Sequence, residues 1–214
     1  MNYSFRKKNK TVKYIIIHYT GMKNLKIAYS KLNNLNSNVS IHYLISRSGI
    51  IFNLLCPSLK AWHAGKSQWK QDINLNDHSI GIELENKGHD YGYENFSNKQ
   101  YLSLKKLIKF LNKNFQIQDE DIIFHSDISP NRKKDPGEKF SINRIGINRF
   151  KNIIPKRKKY SISTLLNIYG FSKFYSNKYK LECIIAVKRS LNYKDINSNI
   201  DSKFKKNFYN LLFK

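Results

Sequence analysis

Apolar positions along this chain follow two periods. Tyr14-Ile15-Ile16-Ile17 is an unbroken β-rich run, so Lys13 to Tyr19 reads as a buried strand. Ser40 to Ser46 alternates, Gly49 marks a turn, and Ile50 to Leu55 returns, which predicts a hairpin. Ser79 to Glu85 alternates more clearly, with Ile80, Ile82 and Leu84 on one face and Gly81, Glu83 and Glu85 on the other. Asp121 to Phe124 is a short strand that ends at His125. Helical spacing is loose from Leu25 to Leu35 and strong from Ser97 to Phe115. There Tyr101, Leu104, Leu107, Ile108 and Leu111 share a face, and Ser97 stands as N-cap. Ser58 to Asn76 and Ser126 to Lys139 read as loops, and a further helix is expected near Asn143 to Ile154.

The pattern changes at Pro155-Lys156-Arg157-Lys158-Lys159. Beyond it, Ser163 to Tyr169, Lys178 to Leu191 and Ser202 to Phe213 read as short helices separated by Gly170 and by an Asn/Asp-rich stretch. The expected layout is an α/β domain over residues 1–154, a basic linker over 155–160, and a small three-helix domain over 161–214.

Composition narrows the function. A 40% hydrophobic and 14% aromatic content supports a packed core and excludes a disordered or collagenous chain. The apolar runs fall far short of the roughly 20 residues of a membrane span. Cys56 and Cys183 give neither a disulfide framework nor zinc-finger spacing. The first ten residues are basic and lack the apolar core of a secretory signal, which makes the cytoplasm the expected compartment. Lys and Arg number 39 against 15 Asp and Glu, a formal charge of +24 that suits a polyanionic partner. The lysines are scattered among abundant Asn and Ile, as a biased base composition produces. Without a basic face interleaved with aromatics, no specific nucleic-acid partner is expected.

Two histidines stand at equivalent places. His18 follows Ile15-Ile16-Ile17 and His125 follows Ile122-Ile123-Phe124, each at the end of a buried strand, where ligands bind in open α/β sheets. Asp135 follows in the next loop. Two imidazoles and a carboxylate make a three-ligand set for catalytic zinc; the alternative is a pair of hydrogen-bonded strand-end histidines. His42 alternates within a strand and is expected to be structural, while His78 and His89 lie in loops without a partner pattern. His63, in Ala61-Trp62-His63-Ala64-Gly65, suits a substrate-binding loop.

Five ordered blocks then carry a resemblance: His18-Tyr19-Thr20, Ser40 to Ile45, Ala61 to Ser67, Asn76 to Asn86 and His125 to Gly137. Together they resemble the zinc-dependent N-acetylmuramoyl-L-alanine amidases of the amidase type 2 family, related to peptidoglycan recognition proteins. The resemblance implies a central mixed β-sheet flanked by helices, with zinc held by His18, His125 and Asp135. It implies hydrolysis of the amide between N-acetylmuramic acid, or its 1,6-anhydro form, and L-alanine in peptidoglycan or muropeptides. The alternative is a non-catalytic peptidoglycan-binding module. Glu83 takes the catalytic carboxylate position, with Glu85 as its rival, and Lys133 takes the catalytic lysine position, with Lys134 as its rival. Trp62, His63 and Tyr43 are the expected substrate contacts. Asn131 stands where the family often has Gly or Gln, a change that Asn's tolerance of a left-handed backbone absorbs. Residues 161–214 are similar to the small peptidoglycan-binding domain of the AmiD branch, which sets the cell envelope beside the cytoplasm as a possible location.

Overall fold

The computed structural model describes residues 2–8, 11–149 and 160–213. The expected linker falls outside these, apart from Tyr160. Among the described residues seven strands form two sheets: β1 (Tyr14–Tyr19), β2 (Tyr43–Ile45), β3 (Ile51–Asn53), β6 (Ser79–Leu84) and β7 (Ile122–Phe124) in one, and the small hairpin β4 (Gln68–Trp69) and β5 (Asp72–Ile73) in the other. The large sheet runs in the order β3-β2-β6-β1-β7. Its β2–β3 pair is antiparallel and the others are parallel, so the sheet is mixed.

Strand alternation gives the large sheet two different faces. Helix α1 (Leu25–Leu32) buries its Leu32 in one cluster with Leu44 of β2. Ile15, Ile17, Tyr43, Ile80, Ile82, Ile122 and Phe124 point to the opposite side from Leu44 and pack against Tyr101, Leu104, Leu107, Ile108 and Leu111 of helix α2 (Asn98–Phe115). A side chain of this size, fully buried, contributes about 1.5–3 kcal/mol. The predicted N-cap Ser97 accepts from Gln100 N, and the Gln100 side chain returns to the Ser97 backbone, closing a capping box.

Tyr14, Ile16 and Ile123 point to the other side. They share a core with Trp69, Leu75 and Ile128, and with Leu165, Leu166, Tyr169, Phe171, Ile184, Val187, Phe204 and Phe208. The last eight belong to the C-terminal segment, built from α4 (Ile162–Tyr169), α5 (Lys173–Lys178), α6 (Lys180–Ser190) and α7 (Ser202–Leu212). Four helices are described there rather than the expected three: α5 lies in the stretch after Gly170 that carried no helical reading, while α6 corresponds to the helix expected from Lys178. The four share one core with Ile16 and Ile123 of the sheet. Trp69 packs edge-on against Tyr169 and Phe171 at ring distances of 5.6 and 5.5 Å. Gly170 allows this contact: its φ is +135°, and a Cβ there would stand 2.2 Å from the Trp69 ring.

Near residue 143 the expected helix is, within the described residues, a single 3-10 turn (Ile142–Ile145) ended by Gly146. Among the described residues no helix is long and apolar enough to cross a membrane.

Candidate metal centre and active site

In-register pairing sets His18 beside Glu83, and Glu83 beside Leu44, on adjacent strands. Paired residues of parallel strands point to the same face. His18 and Glu83 therefore project from neighbouring strand ends on the side opposite Ile17, Ile82 and Tyr43. His125 opens a one-turn helix, α3 (His125–Ile128), straight after β7. The following loop folds back: Ser126 N donates to Asp135 O at 3.0 Å. Asp135 Oδ2 thereby lies 2.9 Å from His125 Nδ1 and 3.0 Å from His18 Nδ1, and the two Nδ1 atoms are 2.9 Å apart. All three residues are buried, with their ligand atoms converging on one point.

Proton directions can be assigned along a chain of contacts from His18. Ser79 Oγ donates its one proton to the Leu75 carbonyl at 2.6 Å, so it accepts from His63 Nε2 at 3.3 Å. Burial first, and neighbouring His18 second, hold the His63 imidazolium pKa well below its usual value, so the ring is neutral and its Nδ1 is a lone pair. His18 Nε2, 2.9 Å from that atom, is then the N–H donor. His18 is also neutral, its pKa lowered to about 4 by burial and then by His125. Its Nδ1 lone pair accordingly faces the Asp135 oxygen. Burial pushes the Asp135 carboxyl up, but His125 outweighs this and holds it well below the usual carboxylate range. A lone pair against a carboxylate at 3.0 Å is repulsive, and a cation relieves it. The His/His/Asp donor set fits a metal ion on this ground.

The site opens into a cleft of about 330 Å³ lined by Glu83, Lys133 and Lys134 as well as the three candidate ligands. Glu83 Oε2 is sealed from solvent without a hydrogen-bond partner. Burial, and secondarily Asp135, lifts its pKa well above the usual carboxylate value. Glu85 does not share the cleft: β6 has ended, and its Oε2 accepts from Arg47 N at 2.7 Å. Lys133 and its rival Lys134 both line the walls.

Three expected substrate contacts fall differently. Tyr43 is 5% exposed on the α2 side of the sheet, because its register partner is Ile82 rather than Glu83. Trp62 lies outside the cleft lining and donates its Nε1–H to Ser4 Oγ at 2.8 Å. His63 does line the cleft, but His18 and Ser79 engage its two ring nitrogens. His42 is structural as expected, accepting from Gly81 N at 3.0 Å. His89, expected to lack a partner pattern, bridges Tyr19 Oη (2.8 Å) and Glu138 (3.3 Å). Residue patterning also passed over Lys31, Asp90 and Arg132 of the cleft, all of them polar loop or helix residues without periodic signal. Arg132 anchors the Lys133 loop by donating to Lys66 O and Ser129 Oγ, each at 2.7 Å.

The amidase type 2 family, described as N-acetylmuramoyl-L-alanine amidase, matches residues 8–138. The chain belongs to this family. It is 35% identical over 141 residues to the N-acetylmuramoyl-L-alanine amidase AmiD of Escherichia coli K12, covering 60% of this chain and 50% of that protein. It is 40% identical over 107 residues to the 1,6-anhydro-N-acetylmuramyl-L-alanine amidase AmpD of Haemophilus influenzae, covering 50% of this chain and 56% of that one. The chain thus spans about half the length of these curated relatives. A solved complex of E. coli AmiD with anhydro-N-acetylmuramic acid-L-Ala-D-gamma-Glu-L-Lys superposes with a TM-score of 0.78 at 27% identity, over 94% of this chain and 88% of that one. Coverage of that extent carries the likeness to the AmiD fold into the C-terminal helices.

Proposed function

We propose that this amidase type 2 chain is a zinc-dependent N-acetylmuramoyl-L-alanine amidase acting on muropeptides, including the 1,6-anhydro form. The supporting observation is the convergence of His18 Nδ1, His125 Nδ1 and Asp135 Oδ2 in a cleft shared with Glu83, whose Oε2 is sealed from solvent without a hydrogen-bond partner. The substrate class comes from the AmiD complex, whose ligand has a muramoyl-L-alanine amide.

His18, His125 and Asp135 would hold the ion, and two imidazoles with one carboxylate suit zinc. Bound zinc supplies Lewis acidity, lowering the pKa of a water to about 7 and polarising the scissile carbonyl. Glu83, in the cleft beside the candidate ligands, takes a proton from the attacking water and later delivers it to the departing L-alanine nitrogen. Lys133, on the cleft wall, steadies the negative charge that develops on the carbonyl oxygen. The Tyr19–His89–Glu138 bridge and the Arg132 anchors keep the flanking loops in place.

Incubating the chain with purified anhydromuramoyl-L-alanyl peptide, with and without chelator, tests the reading. Release of free peptide that stops on chelation and returns with zinc is expected. Intact substrate, bound but uncut under zinc-loaded conditions, would make the chain a binding module instead.

A further inference from the structure

We infer that His63 is a positioning residue for the metal centre, holding His18 in the tautomer and ring orientation that turn its Nδ1 lone pair to the metal. The inference rests on reading His18, His125 and Asp135 as the ligands. Metal-bound histidines generally donate their second N–H to an oxygen acceptor, which fixes the ring and strengthens the ligand. Here the acceptor is a second imidazole, 2.9 Å from His18 Nε2.

His63 is itself held from several directions. Its backbone N–H and that of Ala64 both donate to Asn76 Oδ1, at 3.0 and 2.7 Å. The ring Nε2–H is directed at Ser79 Oγ, whose proton is committed to the Leu75 carbonyl. The ring also comes close to the backbone at Gly81, where a Cβ would stand 2.6 Å from His63 Nδ1 and 2.4 Å from Ile41 Cδ1. Glycine at this position therefore lets the ring approach His18. If His18 carried its proton on Nδ1, its Nε2 and His63 Nδ1 would be opposed lone pairs at 2.9 Å.

Two substitutions separate this role from packing. His63→Phe keeps the ring volume and removes the acceptor. His63→Asn loses volume but returns an acceptor oxygen near the Nδ1 position. Zinc affinity, measured by chelator competition on the full chain, should weaken about 10–100-fold in His63→Phe. His63→Asn should recover most of that loss. Equal zinc affinity in His63→Phe and the parent would overturn the inference while leaving the metal reading intact. A parent chain that binds no zinc would overturn both. Nitrogen-15 NMR of the zinc-loaded parent supplies a readout that needs no variant: His18 protonated on Nε2 is expected, and protonation on Nδ1 contradicts it.

Discussion

Arg149 Nη2 lies 2.6 Å from Asp127 Oδ2, and both side chains are shut off from solvent. Asp127 sits in the turn that starts at His125, where its Oδ2 also accepts from Phe124 N at 2.9 Å. The same carboxylate accepts from Tyr169 Oη of α4 at 3.1 Å, while Arg149 Nη1 donates to Ser190 Oγ of α6 at 2.8 Å. One buried network thus joins the His125 turn to the C-terminal helices. Arg149→Leu leaves Asp127 buried without its cation, and such a loss costs about 3–5 kcal/mol. Urea unfolding should show a drop of that size, and adding Asp127→Asn should return part of it.

Removing residues 150–214 should leave an insoluble chain. Trp69, Ile16 and Ile123 share one buried core with the C-terminal helices. A milder probe is Gly170→Ala, which combines a strained backbone with overlap on Trp69 and should cost about 1–3 kcal/mol for each effect. A soluble truncated chain that still cleaves soluble muropeptide would show that the helices are dispensable for folding.

Glu83→Gln should retain zinc and lose about 10²–10⁴-fold in kcat, the usual range for a general base. Glu85→Gln should be much milder, since it disturbs a loop anchor on Arg47 N. For the lysines, Lys133→Ala should lower kcat more than it raises KM, while Lys134→Ala should act mainly on KM. Steady-state kinetics on a soluble muropeptide read both comparisons.

Glu83 also makes a prediction about stability in the metal-free chain. Its folded pKa is raised above the unfolded value, mainly by burial. The folded state therefore binds the proton more tightly, and stability falls as pH rises from the unfolded carboxylate pKa through the raised one. Glu83→Gln removes that slope. At neutral pH the metal-free variant should unfold at a higher urea concentration than the parent, with the two curves converging below about pH 4, where both forms are uncharged. A less stable variant at neutral pH would mean that the Glu83 carboxylate is stabilised by contacts other than the metal.

Much of this arrangement was legible in the order of residues. β1, β6 and α2 follow from periodicity because each buries a long, regular apolar face. His18 and His125 were visible as polar residues ending such runs, and Asp135 as the carboxylate of the next loop. Tyr43 was misread because a single position in register decides which sheet face a side chain joins, and pairing with Ile82 rather than Glu83 is a tertiary fact. What the C-terminal helices pack against was not legible, because a local pattern shows an apolar face without showing what covers it. Ile16 and Trp69 supply that cover from more than ninety residues away. The His63–His18 contact was equally hidden, since it depends on the close approach that Gly81 allows.

Zinc content, measured by elemental analysis after dialysis against trace chelator, tests the metal centre most directly. The parent chain should hold one zinc, and His18→Ala, His125→Ala and Asp135→Ala should each lose most of it while remaining folded. One zinc retained in all three variants would contradict the centre described here.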